Sequence, residues 1–362
     1  MQAWSARSAP LGWNDALATA FAPHAAEGLA PARVTAHHRG LWRLMTRDGE
    51  SAGRLSGKFF AEATEEGGHP VVGDWLAISP AEGDGDATIH AILPRKTVFA
   101  RRAAGGVGIQ LVAANVDVAF LVAALNSDLN ERRLERYLVA TRDSGAEAVI
   151  VLTKVDLSED RDADTKRVTD IAAGAPVVAL SARTGEGLDA LDRWLKAGVT
   201  VALLGSSGAG KSTLLNALAG AELMSTGAIR ESDERGRHTT THRELFRLEN
   251  GALVVDTPGM RELGLVAETE SLEDSFTDIA DLIPHCKFST CTHKTEPGCA
   301  ILAALADGSL SAERWAGYLK LERELAFVAR KDDPAADAEN RARWKQIHKD
   351  QRAKQRHRRD QE

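Results

Sequence analysis

The sequence predicts a multidomain chain with three unlike units in series. They are an N-terminal OB-type β-barrel, a covered α/β domain built around a phosphate-binding loop, and a mostly helical C-terminal domain organised by a metal site. Three observations carry this. Between Ala32 and about Arg102, short β-forming pieces are broken every few residues by glycine-containing turns. From Val107 the rhythm changes to strands alternating with helices, around Gly205-Ser206-Ser207-Gly208-Ala209-Gly210-Lys211-Ser212. Finally, three cysteines and a histidine cluster between residues 286 and 299.

A chain of 362 residues with 43% hydrophobic content has room for two or three domains with substantial cores. No stretch approaches the roughly 18 apolar residues that span a bilayer, so no membrane partner is expected. Met1–Trp13 is polar and lacks a following apolar run, unlike a signal peptide. Only three cysteines occur, an odd and clustered count that suits a reducing compartment and a metal rather than disulfides. The expectation is a cytoplasmic monomer. Net charge is −7, but residues 341–359 hold nine Lys/Arg against one acid, leaving −15 for the remainder. A basic tail on an acidic body suggests contact with nucleic acid.

Residues 1–30 form an extension with a small helix after Asn14, Leu17 and Phe21 sharing a face. Over 31–102, the segments Arg33–Ala36, Leu41–Thr46, Gly53–Ser56 and Trp75–Ser79 read as strands of a five-stranded RNA-binding OB barrel. Arg95, Lys96, Arg101 and Arg102 around Phe99 combine charge with a stacking ring, as an RNA surface would. The α/β domain, 103–270, begins with a buried strand Asp117–Ala124 and a helix capped by Asn130 and stopped by Gly145. Strand Ala148–Leu152, a helix around Asp164–Ala173, strand Val177–Leu180 and a helix Leu188–Lys196 follow. Strands Val199–Leu204, Arg243–Leu248 and Ala252–Val255 complete it.

The octet 205–212 matches G-x-x-x-x-G-K-[ST] between a strand and a helix start. Its glycines let backbone N–H groups converge on an anion, and the helix N-terminus adds partial positive charge. Lys211 would reach the β- and γ-phosphates, the Ser212 hydroxyl would ligate Mg²⁺, and Thr213 continues the phosphate-binding turn. Asp256-Thr257-Pro258-Gly259 ends a strand downstream, where Asp256 can hold Mg²⁺ through water and the Gly259 N–H can approach a γ-phosphate.

Thr153-Lys154-Val155-Asp156 also ends a strand and resembles N-K-x-D. Asp156 would accept from guanine N1 and N2 while Lys154 packs over the base, and adenine would leave that carboxylate unpaired. Threonine replaces the usual asparagine, which removes a side-chain amide that ties the loops together. Ser181-Ala182 follows the next strand, where a backbone N–H could meet guanine O6. These base-reading motifs precede the phosphate loop, the reverse of Ras-like order. Joining the original termini and opening the chain elsewhere builds the same site, a circularly permuted α/β P-loop GTPase domain. The segment after Gly259, which senses the γ-phosphate, then leads directly into the C-terminal domain.

In that domain, 271–335, Cys286-x4-Cys291-x-His293-x5-Cys299 supplies three thiolates and an imidazole, a closed tetrahedral set for one structural Zn²⁺. Ala300–Leu305 and Trp315–Val328 read as amphipathic helices packed on it. Lys331–Ala338 is a polar break, and 336–362 is a basic tail suited to lying on RNA.

Together these motifs resemble the bacterial small-subunit-dependent GTPase A family. The likeness runs over roughly residues 30–330, through AANVD (114–118), LERYL (134–138), TKVD, GSSGAGKS, GRHTTTH (236–242), DTPGMRELGL (256–265) and the Cys/His cluster. It implies an OB barrel, a permuted GTPase core and a zinc-binding C-terminal domain. It also implies a factor that binds the maturing small ribosomal subunit and its rRNA, hydrolyses GTP faster there, and leaves as GDP is formed. Within 236–242, where switch I belongs, Thr239, Thr240 and Thr241 could each complete the Mg²⁺ shell, Thr240 being preferred. Met260 stands where Ras-like enzymes carry a water-orienting glutamine, so His238 is the candidate for that role. Two other readings compete: a P-loop metabolic enzyme or ATPase, and an RNA-binding module with a poorly catalytic, regulatory GTPase fold.

Overall fold

The computed structural model describes residues 11–38, 40–65, 68–81, 83, 85–102, 109–126, 129–224, 244–256 and 269–332. The extension contributes helix α1 (Asp15–Ala26), started by the Asn14 side chain accepting from Leu17 N at 3.0 Å. Its Phe21 is buried, as the shared face with Leu17 predicts.

Strands β1 (Ala30–His38), β2 (Leu41–Thr46) and β3 (Gly49–Leu55) form an antiparallel meander. Strands β4 (Trp75–Ser79) and β5 (Ala87–Ile92) pair antiparallel, β5 runs parallel to β3, and β4 returns to β1. That closure leaves no free edge and makes the five-stranded OB barrel. Val34, Leu44, Leu76, Ile78 and Ile89 fill it. The sequence pattern did not expose β5, nor helix α2 (Gly57–Glu65) between β3 and β4.

A two-stranded ribbon, β6 (Val98–Arg102) with β7 (Ile109–Ala114), leads onward and straddles the expected boundary at 102/103. It overturns one expectation. Phe99 is only 1% exposed and packs with Leu121, Tyr137 and Leu138, so it is core and offers no stacking face. The neighbouring cations are engaged too: Arg95 with Asp74, Lys96 with Asp117, and Arg101 with the Gln110 side chain.

The α/β sheet has the order β10-β9-β8-β11-β13-β12, with β8 (Val118–Ala124), β9 (Glu147–Thr153), β10 (Val177–Ala179), β11 (Thr200–Leu204), β12 (Glu244–Arg247) and β13 (Leu253–Asp256). All neighbours run parallel except the β12–β13 pair. The central strands are apolar along most of their length, with polar residues such as Glu147, Thr153, Thr200 and Asp256 at their ends, and alternate residues serve opposite cores. Leu121, Ile150 and Leu204 share one cluster with Leu134 and Leu138 of helix α3 (Glu131–Ser144) and Val168 of helix α4 (Arg161–Ile171). Phe120, Val151 and Leu203 share the other with Leu214 and Leu215 of helix α5 (Lys211–Ala219). The helix expected at Leu188–Lys196 is only a short 3-10 turn, Leu188–Leu191. Gly187 starts it without a side-chain cap, and beyond Leu191 the chain continues as turns, Trp194 N and Leu195 N both donating to Leu191 O, with Trp194 and Leu195 buried.

Two features join barrel and sheet. Ala36 pairs with Glu244, and Arg43 reaches the Glu244 carboxylate. Deeper, the buried Arg33 guanidinium donates to the carbonyls of Leu11, Gly73 and Asn115 and to Thr200 Oγ1 at 2.8 Å. Burial pushes its pKa down to about 10, although Asp117 and Asp74 oppose that. Asn115 and Asp117 bind Lys96 from the other side, which gives the AANVD segment its structural work.

The C-terminal domain packs on α3. Helices α6 (Thr269–Ser275), α7 (Thr277–Leu282), α8 (Ala300–Asp307) and α9 (Ala312–Asp332) bury Leu272, Phe276, Ile301 and Tyr318 together with Val139. Arg314 on α9 meets buried Glu135 of α3 at 2.6 Å and Asp278 at 2.8 Å, and Arg136 grips Glu324 with both terminal nitrogens.

Candidate nucleotide site and metal centre

Parallel α/β sheets place ligands beyond the carboxyl ends of their strands. Here β9, β10, β11 and β13 end on one edge, which brings together Thr153–Asp156, Ser181-Ala182, the 205–212 loop and Asp256. Asp256 is the register partner of Leu203, one residue before the last of β11, so it stands beside the entry to the loop.

The loop's conformation follows from its glycines. Gly205 has φ +156°, and a Cβ there would collide with the Val122 carbonyl oxygen. Lys211 curls back so that Nζ donates to the carbonyls of Gly205 and Ser206 at 2.7 and 2.6 Å. Helix α5 starts at Lys211 with no side-chain cap, so its first amides face the loop. An anion seated there would meet those amides, the positive end of the helix and the ammonium.

Thr153 supplies what sequence reasoning missed. Although 1% exposed, its hydroxyl lies 2.6 Å from the Ala209 carbonyl oxygen and 3.3 Å from that of Ala123. The single proton goes to the nearer oxygen, tying base-reading loop to phosphate loop. The link expected to be lost with asparagine is made by a hydroxyl instead. No local signal announces a contact between residues 56 apart.

Lys154 adopts φ +60°, and Asp156 beyond it is exposed. The Ser181 hydroxyl holds the Asp156 carboxyl below the usual carboxylate range, helped by Arg183 and Lys154. The Ser181 amide donates to Glu186 O at 2.9 Å, whereas that of Ala182 makes no such bond among the described residues. Gly259 and the switch residues His238, Thr239, Thr240 and Thr241 lie outside the described residues, as does the basic tail.

The second centre is the cysteine cluster. One ligand atom each from Cys286, Cys291, His293 and Cys299 lies within 4.8 Å of all the others. His293 presents Nδ1, 3.5 Å from the sulfurs of Cys286 and Cys299. Burial pushes the Cys286 thiol up, but the amides of Ala300 and Ile301 at the start of α8 outweigh it and hold it below its ordinary value. Cys299 accepts from Leu302 N. A soft, closed N/S set with amide-stabilised sulfur fits zinc. The loop around it is braced by Glu296, whose carboxylate takes the amides of Thr292, Lys294 and Thr295 and the Thr292 hydroxyl. Among the described residues, no helix is long and apolar enough to cross a membrane.

Comparison with known proteins agrees with this geometry. The family model described as RsgA GTPase matches residues 92–266. An ABC transporter model also matches residues 188–353, a span that contains the same phosphate loop. The chain is 48% identical to the small ribosomal subunit biogenesis GTPase RsgA of Opitutus terrae, covering 96% of this chain and 97% of that one. It is 42% identical to the protein of that name from Methanosarcina acetivorans, covering 93% and 90%. Among solved structures, YjeQ from Thermotoga maritima aligns with TM-score 0.62 and 29% identity over 82% of this chain and 99% of that one. YloQ, described as a circularly permuted GTPase, aligns with TM-score 0.57 and 26% identity over 82% and 95%. The permuted motif order, the barrel and the Cys/His cluster thus coincide with a relationship spanning nearly the whole sequence, and the chain belongs to the RsgA GTPase family.

Proposed function

We propose that this chain is a GTP hydrolase of small ribosomal subunit assembly, binding the maturing subunit and its rRNA and leaving when subunit-stimulated hydrolysis is complete. The observation that carries the reading is the Thr153–Ala209 hydrogen bond, which makes one site of two motifs whose order along the chain is reversed. Asp156, oriented by Ser181, reads guanine N1 and N2; Lys154 covers the base; the Ala182 N–H meets O6. Residues 205–213 hold the phosphates, with Lys211 transferring from loop carbonyls to the β- and γ-phosphate oxygens. Ser212, Thr240 and Asp256 are the residues to hold Mg²⁺, which when bound neutralises charge on those oxygens. The Gly259 N–H senses the γ-phosphate, and His238 orients the attacking water on the subunit.

Cys286, Cys291, His293 and Cys299 hold one structural Zn²⁺. The division into extension, RNA-binding OB barrel, permuted GTPase domain, zinc-binding domain and basic tail keeps the order drawn from the sequence, with the β6–β7 ribbon crossing the boundary between barrel and GTPase domain. Work on nascent subunits puts the protein in the cytoplasm, and it acts as a monomer. The test is co-sedimentation with purified small subunits alongside nucleotide-dependent thermal shifts. GTP and GDP should stabilise the protein and ATP should not. Stabilisation by ATP, or failure to sediment with subunits, would sink the proposal.

A further inference from the structure

The metal knuckle presents an aromatic ring to solvent. Phe288 is 44% exposed, yet its backbone is pinned on both sides. Lys287 N donates to Gly298 O at 3.0 Å, and Cys291 N donates to Phe288 O at 3.2 Å. Gly298 sits at φ +76°, and a Cβ there would lie 3.0 Å from that of Lys287, so the two strands of the loop touch closely. Metal ligands Cys286 and Cys291 bracket the segment. The Lys287 ammonium lies 5.6 Å from the ring centroid, and the ring is exposed enough to take another planar group.

The surroundings select the partner. Lys287, Ser289, Thr290, Thr292 and Lys294 are all exposed and polar, so the loop that carries the ring surrounds it with polar groups. A protein hot spot would want apolar neighbours to exclude water, whereas a nucleobase needs one π-face and a nearby cation for its phosphate. The only acid between Ile283 and Cys299 is Glu296, whose carboxylate is consumed by four donors of its own loop. What remains on the surface is positive and hydrogen-bonding.

We propose that Phe288 is a stacking platform for an unpaired nucleobase of small-subunit rRNA, with Lys287 and Lys294 receiving the flanking phosphates. The proposal rests on the functional reading above and names the part of the molecule that reads single-stranded RNA. A preformed loop loses little conformational entropy on binding, so the metal serves recognition by holding the ring ready.

The test compares full-length, zinc-loaded Phe288→Ala, Phe288→Leu and Phe288→Trp for affinity to purified small subunits, with zinc content and basal GTP hydrolysis confirming intact folding. Stacking predicts a loss of roughly 5- to 100-fold for alanine and leucine and retention within about 2-fold for tryptophan. Lys287→Gln should lower the slope of log affinity against log salt by about one. Leucine binding as well as tryptophan would assign the ring to a protein contact and overturn the proposal, as would unchanged affinity in all three. A wild-type chain that ignores subunits would overturn the functional reading along with it, and is recognised before any variant is made.

Discussion

Thr153→Val isolates the bond that makes the permuted site one site. Valine keeps the shape of threonine and removes only the hydroxyl, whose oxygen lies 2.6 Å from Ala209 O in a place without solvent. A buried carbonyl left without its donor costs about 1–3 kcal/mol. Part of this is relieved when the loop relaxes in the nucleotide-free protein, so the difference seen on binding falls in the lower part of that range. The expected result is a Kd for GDP and for GTP about 5- to 20-fold weaker. Both nucleotides should suffer equally, because Ala209 precedes the residues that meet the γ-phosphate. The kcat of subunit-stimulated hydrolysis should hardly change at saturating GTP. Thr153→Ser should restore affinity. Titration with a fluorescent guanine nucleotide measures all three. Affinity within 2-fold of wild type for Thr153→Val, or a loss confined to GTP, would refute the reasoning.

Asp156→Asn exchanges an acceptor for a donor, so guanine nucleotides should bind at least about 10-fold more weakly while xanthine nucleotides, with a carbonyl at C2, bind better; competition binding decides. Arg314→Met leaves Glu135 buried without its cation and should cost about 3–5 kcal/mol at neutral pH, read by thermal or urea unfolding. Burial already pushes the Glu135 carboxyl up while Arg314 opposes it. A folded-state pKa above the unfolded one means that the folded state binds the proton more tightly. The variant's deficit should therefore shrink as pH falls through the carboxylate range and return as pH rises. Cys291→Ser should lower metal content from about one zinc per chain and make residues 283–299 sensitive to protease; full zinc occupancy would contradict the ligand set.

Much of this molecule is legible from local chemistry. The strand–loop–helix context of residues 205–212 needs only glycines, a lysine and apolar flanks, and Asn130 and Gly145 mark the ends of α3 by capping rules that act within one turn. The Cys/His cluster is legible because its ligands are close in sequence. Other features are set by long-range packing. Phe99 between basic residues looks like an RNA surface until the β6–β7 ribbon turns it into the core. The segment at Leu188 has helical spacing, but it makes only a short 3-10 turn, and Trp194 and Leu195 beyond it are buried in the core beside the sheet. Arg33 in a β-forming stretch gives no hint that it joins the extension, the barrel and the α/β sheet through four acceptors. Thr153 read as a weakened motif, because the carbonyl it serves lies 56 residues away.

The most direct trial of the central claim is single-turnover hydrolysis of GTP and ATP, each with and without purified small ribosomal subunits. The account predicts slow GTP hydrolysis alone, an increase of at least about 10-fold with subunits, and no ATP hydrolysis in either condition. Equal hydrolysis of both nucleotides, or GTP turnover indifferent to subunits, would contradict it.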